Sequence, residues 1–383
     1  MTDRHGPGSD GGSAPSGAER RANDTQYTIR PFVPADREAV RELYATVTGR
    51  KPHPEWLTWK FGENPAATDV GIFVAETPAG VAGVRPLYPL RMRFGDEPVD
   101  VAGFVNAMIH PDYRGEGIFS ALYRRATEYL SDRSDLLFCF ANANSGPIYD
   151  HWGWTEVGRA DAHFRFQSPG ALVPGDGAWT RPARALLSST AKGYLAVRDR
   201  LSTPPTDVSV TRTASVPSAR LASLYRRGVP ETLHVVRDER YYRWRLGGPE
   251  WSGAVYVATR HGTDVAAFVV QTRTVGASST RVEISDALPL VPDRDGRRGF
   301  AALLDRVLGD HPNADVVALQ DTRVPRELLR ERGFVWSGRQ PLSWLYERLF
   351  DPLTQFALPL SDVGFDVGDP DNWAVAELTR NTN

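Results

Sequence analysis

The stretch HPDYRGEGIFSAL, residues 110–122, joins two segments with different hydrophobic patterns. Before it, AGFVNAMIHP (102–111) is an apolar run typical of a β-strand, and after it FSALYRRATEYL (119–130) places apolar residues at helical spacing. The pattern predicts a strand, a short loop and a helix, in that order. Glycines at 115 and 117 allow the loop backbone conformations and close approaches that a Cβ atom would block.

The loop DYRGEG (112–117) therefore leads into the N-terminus of a predicted helix. Backbone N–H groups in a first helical turn lack partners within the helix, and the helix dipole favours negative charge there. Such a loop can hold a phosphate or pyrophosphate through main-chain donors, and Arg114 adds positive charge. A glycine turn that binds nothing is the alternative interpretation of the same residues.

The chain as a whole has the composition of a globular protein with two domains. It has 383 residues, 41% of them hydrophobic and 24% charged, which is enough for two separate cores. Gly, Ser, Pro and charged residues dominate 1–26, so we expect this segment to be disordered. No apolar run reaches the roughly 18 residues of a membrane span, and the N-terminus lacks the apolar core of a secretory signal. We therefore expect a cytoplasmic protein with no membrane partner.

Charge and cysteine content exclude several classes of function. The net charge is −2 and no basic block occurs, so we expect no nucleic-acid partner. Cys139 is the only cysteine and lies in the apolar run LLFCFA, which excludes internal disulfides and a cysteine-built zinc site. No metal-ligand spacing occurs anywhere in the sequence, so we expect no bound metal.

The sequence repeats itself at a spacing of about 180–185 residues. Five segments recur in the same order, and Trp59 and Trp244 occupy matched positions. The matched segments are 27–44 with 210–225, 54–65 with 240–251, 71–94 with 254–275, 119–130 with 300–311, and 136–154 with 315–334. This order predicts two similar α/β domains joined by a linker. The predicted division is a disordered tail at 1–26, domains at 27–167 and 208–348, a linker with a helix at 168–207, and a tail at 349–383 that packs on a domain.

Two motifs in the first repeat resemble those of the GNAT acyltransferases. The acyl-CoA pyrophosphate loop of that family reads Arg or Gln, two residues, Gly, one residue, then Gly or Ala. Here Arg114 and Gly117 fit the pattern, and Phe119 takes its last position. The second family motif is an Asn at a strand end, followed by a helix that ends in Tyr-x-x-x-Gly-aromatic. Asn142 and the segment 149–154 match this motif at the family's spacing.

The resemblance implies a fold and a set of site residues. It covers 27–167 and implies an α/β fold of two tandem GNAT-like domains, each a mixed, mostly antiparallel twisted sheet flanked by helices. Tyr149 is then the catalytic proton donor, because a phenol with a pKa of about 10 can protonate a developing thiolate; a core aromatic is its alternative role. Asn142 would contact CoA, with a strand-end cap as its alternative role. The implied acyl-CoA-binding residues are Met108, Ile109, Arg114, Gly115, Glu116, Gly117, Ile118, Phe119 and Asn142.

Within that set, the residues before the loop have a separate part. The resemblance implies that backbone N–H groups around Met108 and Ile109 bind the acyl carbonyl oxygen. It also implies that their strand splays away from its neighbour to admit the acyl-CoA.

All three marker positions differ in the second repeat. A bulky residue stands where the backbone would meet a phosphate, and the Asn and Tyr are lost together with it. This joint loss favours a phosphate-binding role for DYRGEG over a plain turn. The second domain is therefore predicted to be a degenerate scaffold that shapes the acceptor site or an oligomer interface. The substitutions are Arg298 for Gly117, Thr322 for Asn142, and Leu329 for Tyr149.

The sequence does not identify a general base. The strand segment GFVNAMIHP holds no carboxylate. Asn106 could orient a water, and His110 titrates in a useful range but is also a common turn residue. Asp150 and His151 follow the tyrosine and are expected to face solvent. A chain of water molecules is an equal alternative.

These observations predict an acyl-CoA-dependent N-acyltransferase, with acetyl-CoA or another acyl-CoA as co-substrate. The predicted acceptor is a primary amine of a small molecule such as an amino sugar or polyamine, with a protein amine as the alternative acceptor. Two other functions stay open: a transferase of similar fold that uses aminoacyl-tRNA, and a non-catalytic acyl-CoA-binding or interaction module. Phe119 and the missing carboxylate favour the last of these.

Overall fold

The computed structural model describes residues 26–160, 162–172, 180–275, 279–319, 323–338 and 353–374. In these residues, two sheets are flanked by helices. The helices are α1 (Arg37–Thr48), α2 (Ile118–Leu130), α3 (Gly146–His151), α4 (Thr180–Leu201), α5 (Ser218–Arg227), α6 (Glu239–Arg245), α7 (Arg294–Asp310) and α8 (Arg326–Glu331). The strands are β1 (Thr28–Pro31), β2 (Ile72–Thr77), β3 (Gly80–Phe94), β4 (Glu97–Phe104), β5 (Met108–Ile109), β6 (Leu136–Ala141), β7 (Thr155–Arg159), β8 (His163–Phe166), β9 (Ser209–Thr213), β10 (His234–Val235), β11 (Gly253–Arg260), β12 (Thr263–Val275), β13 (Ser279–Leu288), β14 (Val316–Leu319), β15 (Val335–Trp336) and β16 (Thr354–Pro359).

The two sheets have the same strand order. The first runs β1-β2-β3-β4-β6-β16-β7, with β5 and β10 also paired to β3, and the second runs β9-β11-β12-β13-β14-β8-β15. Along each order the neighbours are antiparallel except for one parallel pair, β4 with β6 and β13 with β14. This confirms the predicted mixed, mostly antiparallel α/β class. The matched orders indicate two domains of one architecture, as the repeat in the sequence predicts.

Each sheet contains one strand from the other half of the chain. β8 follows β7 in sequence but lies between β14 and β15, whereas β16 follows β15 but lies between β6 and β7. The exchange is reciprocal, so neither sheet is complete without the other half. The predicted domain end at 167 and the predicted surface tail at 349–383 do not include this exchange. Strands this short carry no local signal that identifies a distant partner.

Two other predicted segments are placed as follows. Helix α4 lies within the predicted linker 168–207. Residues 1–25 of the predicted tail lie outside the described residues, as does Thr322.

Helix α2 buries its predicted apolar stripe against the first sheet. Gly83 on β3 lies below the first turn of this helix. A Cβ atom at Gly83 would come 3.0 Å from Ile118 and 2.8 Å from Ile109. The glycine therefore lets the N-terminus of α2 pack close to β3 and β5, which places the DYRGEG loop beside the end of the sheet. The buried stripe is Leu122, Ala126 and Leu130.

The matched tryptophans lie at the contact between the two halves. Trp59 Nε1 donates to the Trp244 carbonyl oxygen at 2.6 Å, and Trp244 Nε1 donates to the Trp59 carbonyl oxygen at 2.7 Å. Both side chains are buried. A reciprocal contact of equivalent residues is what a two-fold relation between two copies produces. The repeat in the sequence thus extends to the interface that joins its copies.

His234 on β10 lies at the same interface, where β10 pairs with β3. The side chain is fully buried; its Nδ1 lies 2.7 Å from the Thr232 carbonyl oxygen and its Nε2 lies 3.0 Å from Tyr225 Oη. A carbonyl oxygen only accepts, so Nδ1 carries the proton and Nε2 accepts from the tyrosine. Burial is the main cause that lowers the pKa of His234 to about 4.

Protein stability is therefore expected to fall as the pH falls from about 6.5 to about 4. In that window the unfolded chain takes up a proton on His234 that the folded chain refuses. The shift corresponds to a loss of about 3 kcal/mol in the free energy of unfolding. Urea unfolding at several pH values should show that His234→Gln removes this part of the slope, whereas His53→Gln, at an exposed histidine, leaves it. An unchanged slope in His234→Gln would contradict the assignment.

Candidate active site

An open groove of about 930 Å³ lies where the DYRGEG loop faces α3. Its size suits a small-molecule ligand, for which sites of about 300–1,000 Å³ are usual. The loop and the start of α2 form one wall, and α3 with the turn before it forms the other. Of the predicted site residues, Glu116, Asn142 and Tyr149 do not line the groove. Those that line it are Met108, Ile109, Arg114, Gly115, Gly117, Ile118 and Phe119.

The groove opens because two neighbouring strands separate. The parallel ladder between β4 and β6 ends at Phe104 and Cys139. Beyond it, β5 pairs with β3 alone, so one edge of Met108 and Ile109 is not covered by β6. This is the splayed strand that the sequence predicts. Such an edge can offer backbone N–H groups to a carbonyl oxygen, although this contact remains a prediction.

The DYRGEG loop has a backbone that only glycine adopts easily at two positions. Gly115 has φ 88° and Gly117 has φ 78°, both in the left-handed region. Gly117 is also the N-cap of α2, and no side chain of the described residues caps that first turn. The free N–H groups and the dipole of a 13-residue helix therefore point toward the groove wall. Arg114 is exposed beside them.

In the second half of the chain, a helix replaces this loop. Helix α7 begins at Arg294, so Arg298, the residue matched to Gly117, lies inside the helix. Arg298 forms an ion pair with Asp207. The N-cap of α7 is Asp293, whose carboxylate accepts from the Gly296 N–H at 2.7 Å. A side-chain anion already occupies the helix terminus, so no anion site remains at the matched position.

Tyr149 lies directly behind the groove wall. It is 5% exposed, and its ring makes an edge contact with Trp152, which lines the groove, at a centroid distance of 5.9 Å. Its hydroxyl oxygen accepts from Arg85 Nη1 at 3.1 Å. Leu329, the matched residue of the second half, is fully buried and apolar. The position thus carries a polar, hydrogen-bonded group only in the half that has the loop.

The surroundings of Tyr149 act on its pKa in opposite directions. Burial raises the pKa of Tyr149, whereas the Arg85 charge and its hydrogen bond lower it. Burial also raises the pKa of the neighbouring Cys139 thiol to about 12, which keeps that cysteine protonated. Cys139 is therefore a buried, neutral neighbour of the tyrosine, and the role of Tyr149 as a proton donor remains a prediction.

Asn142 has its alternative, structural contacts in this structure. Its side-chain oxygen accepts from the N–H groups of Asn144 and Ser145, both at 3.1 Å, and from the Ser145 hydroxyl. These bonds fix the turn between β6 and α3, and Asn144 and Ser145 line the groove. Asn142 therefore shapes the groove wall through its neighbours, and direct contact with CoA remains a prediction.

A buried lysine lies beneath the bulge between β4 and β5. Lys60 is 1% exposed; its Nζ donates to Asn106 Oδ1 at 3.1 Å and lies 4.8 Å from the Trp56 ring centroid. Desolvation lowers the pKa of Lys60 well below its ordinary value. Asn106 has φ 51°, and its carbonyl oxygen accepts from Tyr44 Oη at 2.7 Å. Lys60 and Tyr44 thus hold the strained residue where the strands separate.

The other candidates for a general base lie at the rim. His110 is half-buried, and its Nδ1 accepts from the Asp112 N–H at 3.3 Å, as a turn residue does. Asp150 and His151 are exposed, as predicted, and His151 lines the groove. Neither sequence patterning nor these contacts select one of them as the base.

Two searches of the described residues gave no candidate. They contain no group of three or more His, Cys, Asp or Glu that could hold a metal ion. None of their helices is long and apolar enough to cross a membrane.

Two features of this site are not apparent from the sequence patterns alone. Arg85 was not predicted, although a basic residue in the apolar run VAGVRPLYPL is an available signal. Lys60 was not predicted either, and its signal is a lysine between aromatic residues in WLTWKF.

Residues 28–157 match the model of the acetyltransferase (GNAT) domain family. The matched range contains β1 to β6, the DYRGEG loop, both faces of the groove and Tyr149. No curated protein sequence matches the chain.

Solved structures share the fold over most of the chain. A GCN5-related N-acetyltransferase from Anabaena variabilis superposes with a TM-score of 0.59 at 11% identity, covering 88% of this chain and 73% of its own. A probable N-acyltransferase from Enterococcus faecalis gives 0.58 at 12% identity, with coverages of 88% and 73%. Eis1 from Mycobacterium abscessus gives 0.51 at 15% identity, with coverages of 88% and 74%. At these identities the similarity shows a common fold.

Proposed function

Because residues 28–157 belong to the GNAT acetyltransferase family, we propose that this chain is an N-acyltransferase that takes its acyl group from acyl-CoA. The observation that carries the proposal is the convergence of separate features on one groove. The glycine loop, the uncapped start of α2 and the free edge of β5 all line it. The second half of the chain has lost the loop to α7 and the tyrosine to Leu329.

Each part of the groove has a chemical role in this proposal. The loop and Arg114 hold the CoA pyrophosphate, and the N–H groups at Met108 and Ile109 bind the acyl carbonyl oxygen as negative charge develops on it. The amine then attacks the carbonyl carbon. Tyr149 protonates the departing sulfur. The base that accepts the proton of the amine is not assigned.

The finer parts of the proposal concern the acceptor and the assembly. We favour acetyl-CoA as donor and a primary amine of a small molecule, such as an amino sugar or polyamine, as acceptor. The second half acts as a scaffold for the acceptor side or for a homo-oligomer interface. A cytoplasmic location is part of the same proposal, since acyl-CoA is consumed there.

Release of the CoA thiol tests the proposal directly. Purified protein is incubated with acetyl-CoA and a panel of amino sugars, polyamines, a lysine peptide and aminoacyl-tRNA, and the free thiol is followed colorimetrically while mass spectrometry identifies the acylated product. Amine-dependent thiol release with an N-acetylated product supports the enzyme. CoA binding without release from any amine would favour the non-catalytic module, and transfer from aminoacyl-tRNA alone would favour the other transferase class.

A further inference from the structure

Arg85 on β3 is a buried cation with few partners. It is 1% exposed, and its guanidinium lies between two aromatic rings, 4.6 Å from the centroid of Phe104 and 4.8 Å from that of Phe119. Its Nη1 donates to Tyr149 Oη at 3.1 Å. Within the described residues, Nε and Nη2 have no hydrogen-bond partner, and no carboxylate forms an ion pair with Arg85.

Such a residue is unfavourable for folding. Arginine stays protonated in proteins and only donates hydrogen bonds. Leaving a buried donor without an acceptor costs about 1–3 kcal/mol, and the aromatic faces offset only part of the desolvation of the charge. An apolar residue of similar volume would serve the core at least as well. The charge therefore needs a reason outside the folded, ligand-free protein.

The second half of the chain shows that the fold does not need this arginine. β3 pairs with β2, and β12 pairs with β11, in the same register with the same bulge, so that Gly83 faces Ala75 as Ala266 faces Ala258. Two residues further along each strand come Arg85 and its counterpart Phe268. Phe268 stacks on Phe300, the residue matched to Phe119, at a centroid distance of 5.4 Å and an angle of 17°. The same place is thus filled by apolar stacking in the half that lacks the loop and the tyrosine.

Arg85 and Tyr149 lie together just behind the groove. Phe119 and Trp152 line the groove, and these two rings contact Arg85 and Tyr149 respectively. The two rings also stack on each other at 5.6 Å. The buried pair is therefore separated from the groove by a single layer of aromatic side chains.

We propose that Arg85 is a positioning residue for the leaving group, which fixes the Tyr149 oxygen and supplies positive charge where the CoA thiolate forms. This inference rests on the proposed function. Since an arginine only donates, Tyr149 must accept from Nη1, and its own O–H is left for another acceptor. In the ligand-free protein that neighbour is the Cys139 sulfur; during transfer it is the sulfur of CoA.

The transfer then balances as follows. The amine nitrogen forms a bond to the carbonyl carbon, the C–S bond breaks, and its electron pair moves to sulfur. Tyr149 gives its proton to that sulfur, and the phenolate beside Arg85 regains a proton from solvent, which also takes the proton lost by the amine. Arg85 carries no proton in this step; its charge favours both the thiolate and the phenolate.

The test compares CoA with desulfo-CoA, which lacks the thiol. Calorimetric affinities are measured between pH 6 and 9 for the unaltered protein, Arg85→Met, Arg85→Lys and Arg91→Met, a control on the same strand at an exposed arginine. In the unaltered protein and in Arg91→Met, the preference for CoA over desulfo-CoA should rise with pH. The rise is about tenfold for each pKa unit by which the site favours the thiolate. Arg85→Met should lose this pH-dependent preference and at least tenfold in kcat, and Arg85→Lys should recover part of both.

Stability is the second readout of the same variants. Because the fold does not need the charge, Arg85→Met should melt at the same temperature as the unaltered protein or higher. A melting temperature lowered by many degrees, or a kcat equal to that of the unaltered protein, would overturn the proposal. Equal affinity for CoA and desulfo-CoA at every pH would overturn it too, while the proposed function would stand.

Two further outcomes separate this inference from its rivals. If Arg85→Met instead removes a preference for succinyl-CoA over acetyl-CoA, the buried charge recognises an acyl carboxylate, and the leaving-group role is wrong. If neither CoA nor desulfo-CoA binds the unaltered protein, the proposed function fails and this inference fails with it.

Discussion

Replacing Tyr149 with phenylalanine is expected to lower kcat for acyl transfer by at least roughly 100-fold, the usual range for loss of a general acid. The affinity for CoA should stay within about threefold of the unaltered protein, because Tyr149 lies behind the groove wall and does not line it. Steady-state kinetics of thiol release and calorimetric CoA binding measure the two quantities separately. Loss of activity with binding retained identifies a residue that acts in the chemical step.

Stability must be measured alongside, since Tyr149→Phe removes the acceptor of Arg85 Nη1. Tyr123→Phe is the matched control: Tyr123 belongs to the same aromatic cluster, and its hydroxyl accepts from Trp154 Nε1 at 3.0 Å. Both variants leave one buried donor unpaired, with a cost of about 1–3 kcal/mol. Only Tyr149→Phe should lose turnover. Equal activity of the two variants would show that Tyr149 is a core aromatic, as its alternative role states.

Replacing Gly117 with arginine, which copies the second half of the chain, is expected to weaken CoA binding by at least roughly 100-fold. A side chain at the N-cap of α2 would cover the N–H groups that hold the pyrophosphate. The loss of two charge-assisted hydrogen bonds accounts for about 3–6 kcal/mol. Calorimetry with CoA measures the loss.

The strain of this substitution has its own control. Gly117 and Gly262 both have φ +78°, so an arginine at either position is strained to a similar degree. Gly262 lies in the turn between β11 and β12, with no atom within 4 Å of an added Cβ. Gly262→Arg should therefore match Gly117→Arg in melting temperature but bind CoA as the unaltered protein does. Normal CoA binding by Gly117→Arg would contradict the assignment of the loop.

Local patterns predicted the elements that position the site. The change from an apolar run to helical spacing around 110–122 predicted a strand, a glycine loop and α2, and all three are present. The repeat predicted two similar halves, and the two sheets have one strand order. Both features are written in nearby residues or in direct comparison of two segments, which is why they could be read from the sequence.

The exchange of β8 and β16 could not be predicted in this way. Their apolar, alternating residues suit the end position of either sheet, and the pairing depends on partners more than 100 residues distant. The place of Arg85 was missed for a related reason. A lone basic residue in a strand reads as solvent-facing, and only the contact with Tyr149 shows that it points into the core. Comparison with Phe268 in the matched segment would have marked it.

The melting temperature of the unaltered protein with and without saturating CoA tests the central claim most directly. A ligand that binds only the folded state at 100 times its Kd stabilises it by about 2.7 kcal/mol. The account predicts a rise of several degrees with CoA and acetyl-CoA. No rise with CoA, acetyl-CoA or longer acyl-CoAs would contradict it, since the groove at DYRGEG would then not be an acyl-CoA site.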